Sequence, residues 1–222
     1  MNARRSEAQP TADEIEGILK RCGLESSPRL IEGIVRYSAL LQKWNLRINL
    51  TSLSNPTEVI TTHFAESFFA AHYLEPPDTP VLDIGSGAGF PGLAMKLCRP
   101  EITFYLLEPR KKRAAFLSTV RRELGLFDII VLNKSVEECR ETDFGEAPGL
   151  LSLRAVGEAP ALIKRALHLA RPGARTMLFL TIGKVEEVLS QLPKVAWNEP
   201  ILIPWSRQGV IVLGESTPKC ST

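Results

Sequence analysis

VLDIGSGAGFPG, residues 81–92, is the stretch that decides the fold. PVLDIG is an apolar run broken by one acid, Asp83, and it reads as a buried strand. Gly85, Gly87 and Gly89 follow at once, and FPGLAMKLCRP beyond them reads as a helix. Glycines let the backbone turn sharply and come close to a ligand, and a helix N-terminus just beyond supplies free N–H groups. In an open α/β sheet, ligands bind at the carboxyl ends of the strands, where the strand order reverses. A glycine-rich turn with no ligand is the plain alternative.

Outward from this stretch the chain changes character. Upstream, TADEIEGILKRCGL, SPRLIEGIVRYSALLQKWNL and NPTEVITTHFAESFFAAHYL each place apolar residues at helical spacing, with Thr11 or Asp13 and Asn55 as candidate caps. Residues 1–10 are polar and expected to fray, 11–75 form a helical extension, and 76–222 form the second unit, compact with the first. Pro76, Pro77 and Pro80 mark the change. Downstream, strands and helices alternate: ITFYLLE, then KKRAAFLSTVRRELG, DIIVLN, GLLSLRAV, APALIKRALHLARPG, ARTMLFLTIG and KVEEVLSQLP. NEPILIPW and GVIVLG, split by SRQ, close the chain as a hairpin. The expectation is an α/β fold with a seven-stranded, mostly parallel sheet, helices on both faces and the last strand antiparallel.

Composition bounds the function. A formal net charge of +2 argues for no general affinity for nucleic acid, so any basic footprint must be local. Cys22, Cys98, Cys139 and Cys220 are scattered without CxxC spacing, which points away from zinc and redox chemistry, so no metal is expected. The N-terminus has no apolar core of a signal peptide, and no window approaches a membrane span. A cytoplasmic protein without membrane contact is expected, and a monomer by default.

The spacing of the glycines narrows the ligand. A dinucleotide fingerprint would need a third glycine at position 90, which is Phe90; Gly89 comes one step early. G-x-G-x-G, with Asp83 two residues before it, is the S-adenosylmethionine pattern of class I methyltransferases. Asp83 can meet the ligand's cationic amino end, directly or through water. Glu108 closes the second strand, where an acid can take both ribose hydroxyls.

Beyond the loop, WNLRINLTSL (44–53), HFAES (63–67), LLEPRKKRAAFL (106–117), SVEE (135–138) and LRAV (153–156) carry a further likeness. With DIGSGAGFPGLAMKL (83–97), they resemble the bacterial 16S rRNA (guanine-N7) methyltransferases of the small ribosomal subunit, the glucose-inhibited division protein B family. The resemblance spans residues 28–213. It implies a class I, Rossmann-like fold, S-adenosylmethionine as methyl donor, and 16S rRNA or the small subunit as partner. It also implies cofactor contacts at Gly85, Phe90, Val136, Glu137 and Arg154. Departures from the family pattern are Leu153 where serine is usual, Ser135 where arginine is usual, Ile182 where lysine is usual, and Glu66 where aspartate is usual. They fall on positions facing RNA more than on the cofactor loop.

Guanine N7 has an in-plane lone pair and no proton, so its methylation needs alignment and water exclusion rather than a general base. The chain accordingly lacks a (D/N)-P-P-(Y/F) motif, having LSLRAV at that place, and no catalytic residue is assigned beyond a positioning role for Arg154. Arg110, Lys111, Lys112, Arg113, Arg121 and Arg122 form the densest basic block and are the RNA-binding candidates, although such runs are often only a solvated face. Arg36, Lys43 and Arg47 are a second basic surface. His63 reads as an acid/base group or, more in keeping with its setting, as a structural hydrogen-bonding residue. Asn45, Asn49 and Thr51 read as loop-shaping residues, and Trp44 and Phe64 as core. Two other functions stay open: a small-molecule methyltransferase with the helical section as lid, and a non-catalytic ribosome-associated RNA-binding protein.

Overall fold

The computed structural model describes residues 9–53, 55–154 and 159–216. Residues 1–8 of the N-terminal segment, Ala155 and Val156 of the LRAV segment, and Cys220 lie outside the described residues.

Two capped helices open the fold. In α1 (Ala12–Arg21) Thr11 is the cap: its hydroxyl accepts from the Glu14 N–H while the Glu14 carboxylate accepts from the Thr11 N–H. In α2 (Pro28–Ile48) Ser27 caps, Pro28 pre-sets the first turn, and Asn49 in the left-handed region ends the helix. Their apolar faces, Ile15, Ile18 and Leu19 on one and Ile31, Ile34, Tyr37 and Leu41 on the other, are buried. Asn55 caps α3 (Pro56–Glu58), as its spacing suggests.

The third upstream helix is not uniform. After α3 the chain runs as a π-helix over Val59–Ala65 and returns to α geometry in α4 (Glu66–Ala71). The run Val59-Ile60-Thr61-Thr62 is β-branched and a poor α-former. The wider turn also leaves two carbonyls to outside donors: Trp205 Nε1 reaches Thr61 O at 3.2 Å and Arg154 reaches Thr62 O at 3.0 Å. Arg99 then holds the carbonyls of Ala71 and Leu74 at the end of α4.

The sheet follows the expected alternation. Parallel strands β1 (Val81–Ile84), β2 (Phe104–Leu107), β3 (Ile129–Leu132), β4 (Leu150–Arg154) and β5 (Arg175–Thr181) are joined by α5 (Gly92–Cys98), α6 (Lys111–Glu123) and α7 (Ala159–Ala166). Beyond α8 (Val185–Leu189) come β6 (Val195–Trp197), β7 (Ile201–Leu202) and β8 (Gly209–Ser216), giving the order β3-β2-β1-β4-β5-β8-β6 with β7 also on β8. The last strand is antiparallel, as expected. The closing hairpin differs from expectation. Its first arm pairs over only two residues, and a separate strand, β6, pairs with the far end of β8, so the sheet has eight strands rather than seven. Pro200 and Pro204 bracket the short arm and withhold ladder donors.

Alternate strand residues face opposite layers. Val81, Phe104, Leu106, Leu150, Met177 and Ile211 join the upstream helices in one apolar cluster; Leu82, Tyr105, Leu107, Leu151, Leu178 and Val212 join α7 and α8 in another. Buried Lys96 on α5 donates to Pro100 O at 2.8 Å and Ile102 O at 2.7 Å, fixing the turn into β2. No described helix is long and apolar enough to cross a membrane. Lys96→Met keeps the apolar stem but strands both carbonyls. It should cost about 2 kcal/mol, read as a lower urea midpoint with an unchanged slope.

Candidate active site

The strand order reverses between β1 and β4, and the glycine loop lies at that switch point. Gly85, Gly87 and Gly89 all have positive φ, at 69°, 55° and 88°. Gly89 is the tightest: a Cβ there would lie 2.0 Å from the Tyr37 hydroxyl, which donates to Ala88 O at 2.6 Å. Gly92 is constrained too, because its Cβ would stand 2.7 Å from that of Asp83.

That second approach organises the floor of the cleft. Asp83 is fully buried; one carboxylate oxygen accepts from the Ser152 hydroxyl at 2.8 Å and the other from the Gly92 N–H at 3.3 Å. Ser152 is its register partner on β4. Burial pushes the Asp83 carboxyl up to about 6, with Ser152 and Gly92 holding it back. Two residues on, at the end of β4, Arg154 pairs with Glu66 at 3.1 Å, donates to Thr62 O, and lies 4.6 Å over the Phe179 ring. Its Nε and Nη2 are shielded from solvent and have no partner. Burial pushes Glu66 up, against the opposing pull of Arg154.

Phe90 lies between two rings. Tyr37 stacks on it at 5.5 Å and 5°, and His63 at 4.6 Å and 19°, while Phe64 meets it edge-on. His63 Nε2 is 2.9 Å from the Thr51 hydroxyl. Burial, then the Arg154 charge, pushes the His63 imidazole down to about 3, so it is neutral at physiological pH. Asn45 shapes the adjoining loop as expected, accepting from the N–H groups of Leu50 and Thr51 and donating to Thr51 O. Phe64 is fully buried and Trp44 packs on Phe116, both as core.

Residues 30–197 match the family described as rRNA small subunit methyltransferase G. The chain belongs to that family. A Roseiflexus castenholzii protein named ribosomal RNA small subunit methyltransferase G is 41% identical over 166 residues, covering 73% of this chain and 70% of its own length. A Carboxydothermus hydrogenoformans protein of the same name is 37% identical over 175 residues, covering 78% and 74%. Among solved structures, magnesium protoporphyrin IX methyltransferase from Synechocystis with bound S-adenosylmethionine aligns at TM-score 0.60 and 14% identity, over 87% of this chain and 99% of that one. An S-adenosylmethionine-dependent methyltransferase from Aquifex aeolicus aligns at 0.57 and 14%, over 76% and 97%. These two likenesses show the class I methyltransferase fold.

Against the rRNA small subunit methyltransferase G pattern, the site residues fall into groups. Asp83, Gly85, Gly87, Gly89, Phe90 and Arg154 converge on the switch point. Glu108 is buried beside them, with one carboxylate oxygen on the Gly87 N–H at 2.9 Å and the other on the Arg110 N–H at 2.8 Å. Val136 is buried in the turn after β3; Glu137 beside it is exposed and paired with Arg165. Of the basic candidates, Arg113 is turned inward to Asn49 O at 3.2 Å. Arg110, Lys111 and Lys112 are exposed at the cleft end of α6, whereas Arg121 and Arg122 lie at its other end, roughly 18 Å away for a 13-residue helix. Arg36 bonds Glu123 O at that far end, so α2 runs antiparallel to α6 and brings Lys43 and Arg47 to the near end.

Tyr37, Ser152, Gly92 and the Glu66–Arg154 pair are site components that sequence reasoning did not assign. The second proline-flanked glycine of GFPG was the available signal for Gly92; nothing local marked Tyr37. Among the described residues no His, Cys, Asp and Glu cluster can hold a metal, and Cys22, Cys98 and Cys139 are free.

The buried Asp83 has a stability consequence. Its folded-state value of about 6 exceeds the ordinary 3.8, so the native protein takes up a proton before the unfolded chain does. Stability from this group is therefore full below the lower value and lost as pH rises through the upper one. Relative to Asp83→Asn, the parent protein should gain roughly 3 kcal/mol between about pH 8 and pH 4. Urea midpoints of both proteins without ligand, across that range, measure it.

Proposed function

We propose that this chain transfers a methyl group from S-adenosylmethionine to N7 of a guanine in 16S rRNA. The observation that carries the reading is the convergence, at one switch point, of the glycine loop, the buried Asp83 carboxylate and the two unpartnered guanidinium nitrogens of Arg154, in a chain of this family. S-adenosylmethionine supplies an electrophilic methyl group on a sulfonium.

Each end of that molecule finds a matching group. Asp83 meets its ammonium, directly or through water, with the charge it carries above about pH 6. The free nitrogens of Arg154 suit its carboxylate, since a guanidinium holds oxyanions in a fixed planar fork. Glu108 takes the ribose hydroxyls with the lone pairs its two backbone bonds leave over. The loop backbone and Phe90 border the sulfonium, and Val136 with Glu137 borders the adenine.

The acceptor step asks for no base. His63 is too weakly basic to take a proton, and Asp83 is occupied by Ser152 and Gly92. Such a site suits an acceptor atom that carries no proton, as guanine N7 does. The residues' part is to align the base and keep water out.

RNA is held by the near-end cations Lys43, Arg47, Arg110, Lys111 and Lys112. All five are exposed, and no ion pair joins any of them to a carboxylate among the described residues. Arg121 and Arg122 stand too far from the cleft to share that contact.

Two measurements test the reading. Labelled S-adenosylmethionine is offered to small ribosomal subunits, naked 16S rRNA and a small-molecule extract. Label should appear in 7-methylguanosine from one of the RNAs. Label only in the extract would point to a small-molecule acceptor, and RNA binding without transfer to a non-catalytic role. Lys111→Ala with Lys112→Ala should weaken rRNA binding by about tenfold at low salt and lower the salt slope by about 2. Arg121→Ala with Arg122→Ala should change both little.

A further inference from the structure

Seven buried side-chain polar atoms among the described residues lack a hydrogen-bond partner, and three of them belong to two residues of the site: Nδ1 of His63 and Nε and Nη2 of Arg154. The two residues are linked through the backbone, because Arg154 Nη1 donates to the carbonyl of Thr62, next to His63. Buried donors left unpaired are costly, so such a cluster marks where a ligand's polar atoms come to rest. The proposed cofactor carboxylate accounts for the nitrogens of Arg154. It leaves Nδ1 of His63 without a role.

The proton on that imidazole can be placed. Thr51 Oγ1 accepts from the Leu53 N–H at 3.2 Å, and its own O–H can donate to His63 Nε2 at 2.9 Å. In that arrangement the single proton of a neutral imidazole sits on Nδ1, making that atom a donor. Burial and the Arg154 charge keep the ring neutral throughout the physiological range. The ring stacks on Phe90 from within the π-helical turn. His63 is partly exposed but Nδ1 itself is covered, so a bond to an entering base requires the ring to slide along Phe90.

We propose that His63 determines the specificity of the reaction, donating a hydrogen bond from Nδ1 to O6 of the target guanine so that N7 faces the methyl group. The inference rests on the guanine-N7 reading above. Guanine offers two acceptors, O6 and N7, on one edge; adenine offers a donor, its 6-amino group, where guanine has O6. A donor placed at O6 therefore supports guanine and opposes adenine.

The test uses the full-length protein and rRNA. Once label from the parent protein maps the target guanine, a second RNA carries 2-aminopurine there, which keeps N7 and lacks O6. The parent protein should prefer guanine by about 10- to 100-fold in kcat/KM. His63→Phe keeps the stack and should lose that preference, its guanine rate falling to the level of 2-aminopurine. His63→Asn, whose amide can donate from a similar position, should restore part of it. Thr51→Val, which frees the proton to leave Nδ1, should lower the preference without touching His63. Melting temperature and S-adenosylhomocysteine affinity of each variant separate misfolding from lost recognition. Equal loss on both RNAs in His63→Phe, or unchanged preference, overturns the proposal. If the parent protein's label is not in 7-methylguanosine, the guanine-N7 reading itself falls, a result distinct from either.

Discussion

A carboxylate buried at the point where the sheet reverses is the constraint on which the site depends. Asp83 has no water to satisfy it, so the chain must supply donors from both sides. Ser152 does so from β4 and Gly92 from the first turn of α5. The second donor reaches only because residue 92 has no side chain. The glycine loop is therefore drawn down onto the sheet end, and the ends of β1 and β4 are locked side by side. Arg154, two residues after Ser152, is carried to the same edge.

The helices upstream complete this edge rather than merely covering it. Tyr37 on α2 bonds the loop carbonyl of Ala88, His63 stacks on Phe90, Glu66 and Thr62 hold Arg154, and Asn49 is held by Arg113 of α6. Two of these contacts reach the glycine loop, and the others reach the end of β4 and α6. Displacing that section would uncover an arginine, break an aromatic stack and release the loop together. Such coupling carries a displacement of α2 to the glycine loop through packed groups rather than through distance.

The legible part of the molecule was the part written in local pattern. Strand–helix alternation gave the sheet, and the glycine spacing with Asp83 and Glu108 located the cleft. Capping residues gave the starts of α1 and α3. What escaped depends on partners far apart in the chain. Tyr37 reads as one more apolar position of α2, and its bond to Ala88 spans 51 residues. The π-helix depends on Trp205 and Arg154 for its free carbonyls, so the local pattern of residues 56–71 is that of an ordinary helix. Glu66 and Arg154 lie in segments each noted separately, yet only folding pairs them. β6 escaped because three residues, Val195–Trp197, are too short for alternation to show.

The charges at the switch point suit a reaction that moves a positive charge without creating one. Arg154 stands against Glu66 at 3.1 Å, with the buried carboxyl groups of Asp83 and Glu108 on the same edge of the sheet. S-adenosylmethionine carries a net of plus one, from its ammonium, carboxylate and sulfonium. Transfer to guanine N7 shifts that positive charge a few ångströms, from sulfur to the base, with no proton gained or lost at the reacting atoms. A site of fixed charge can stabilise both ends of that path without reorganising. Glu66 matters in this account as much as Arg154: without that partner at 3.1 Å, the arginine would oppose the cation forming on the base. Carboxyl groups around one guanidinium, a neutral imidazole and no free base describe alignment chemistry, in which the protein contributes position and field rather than proton transfer.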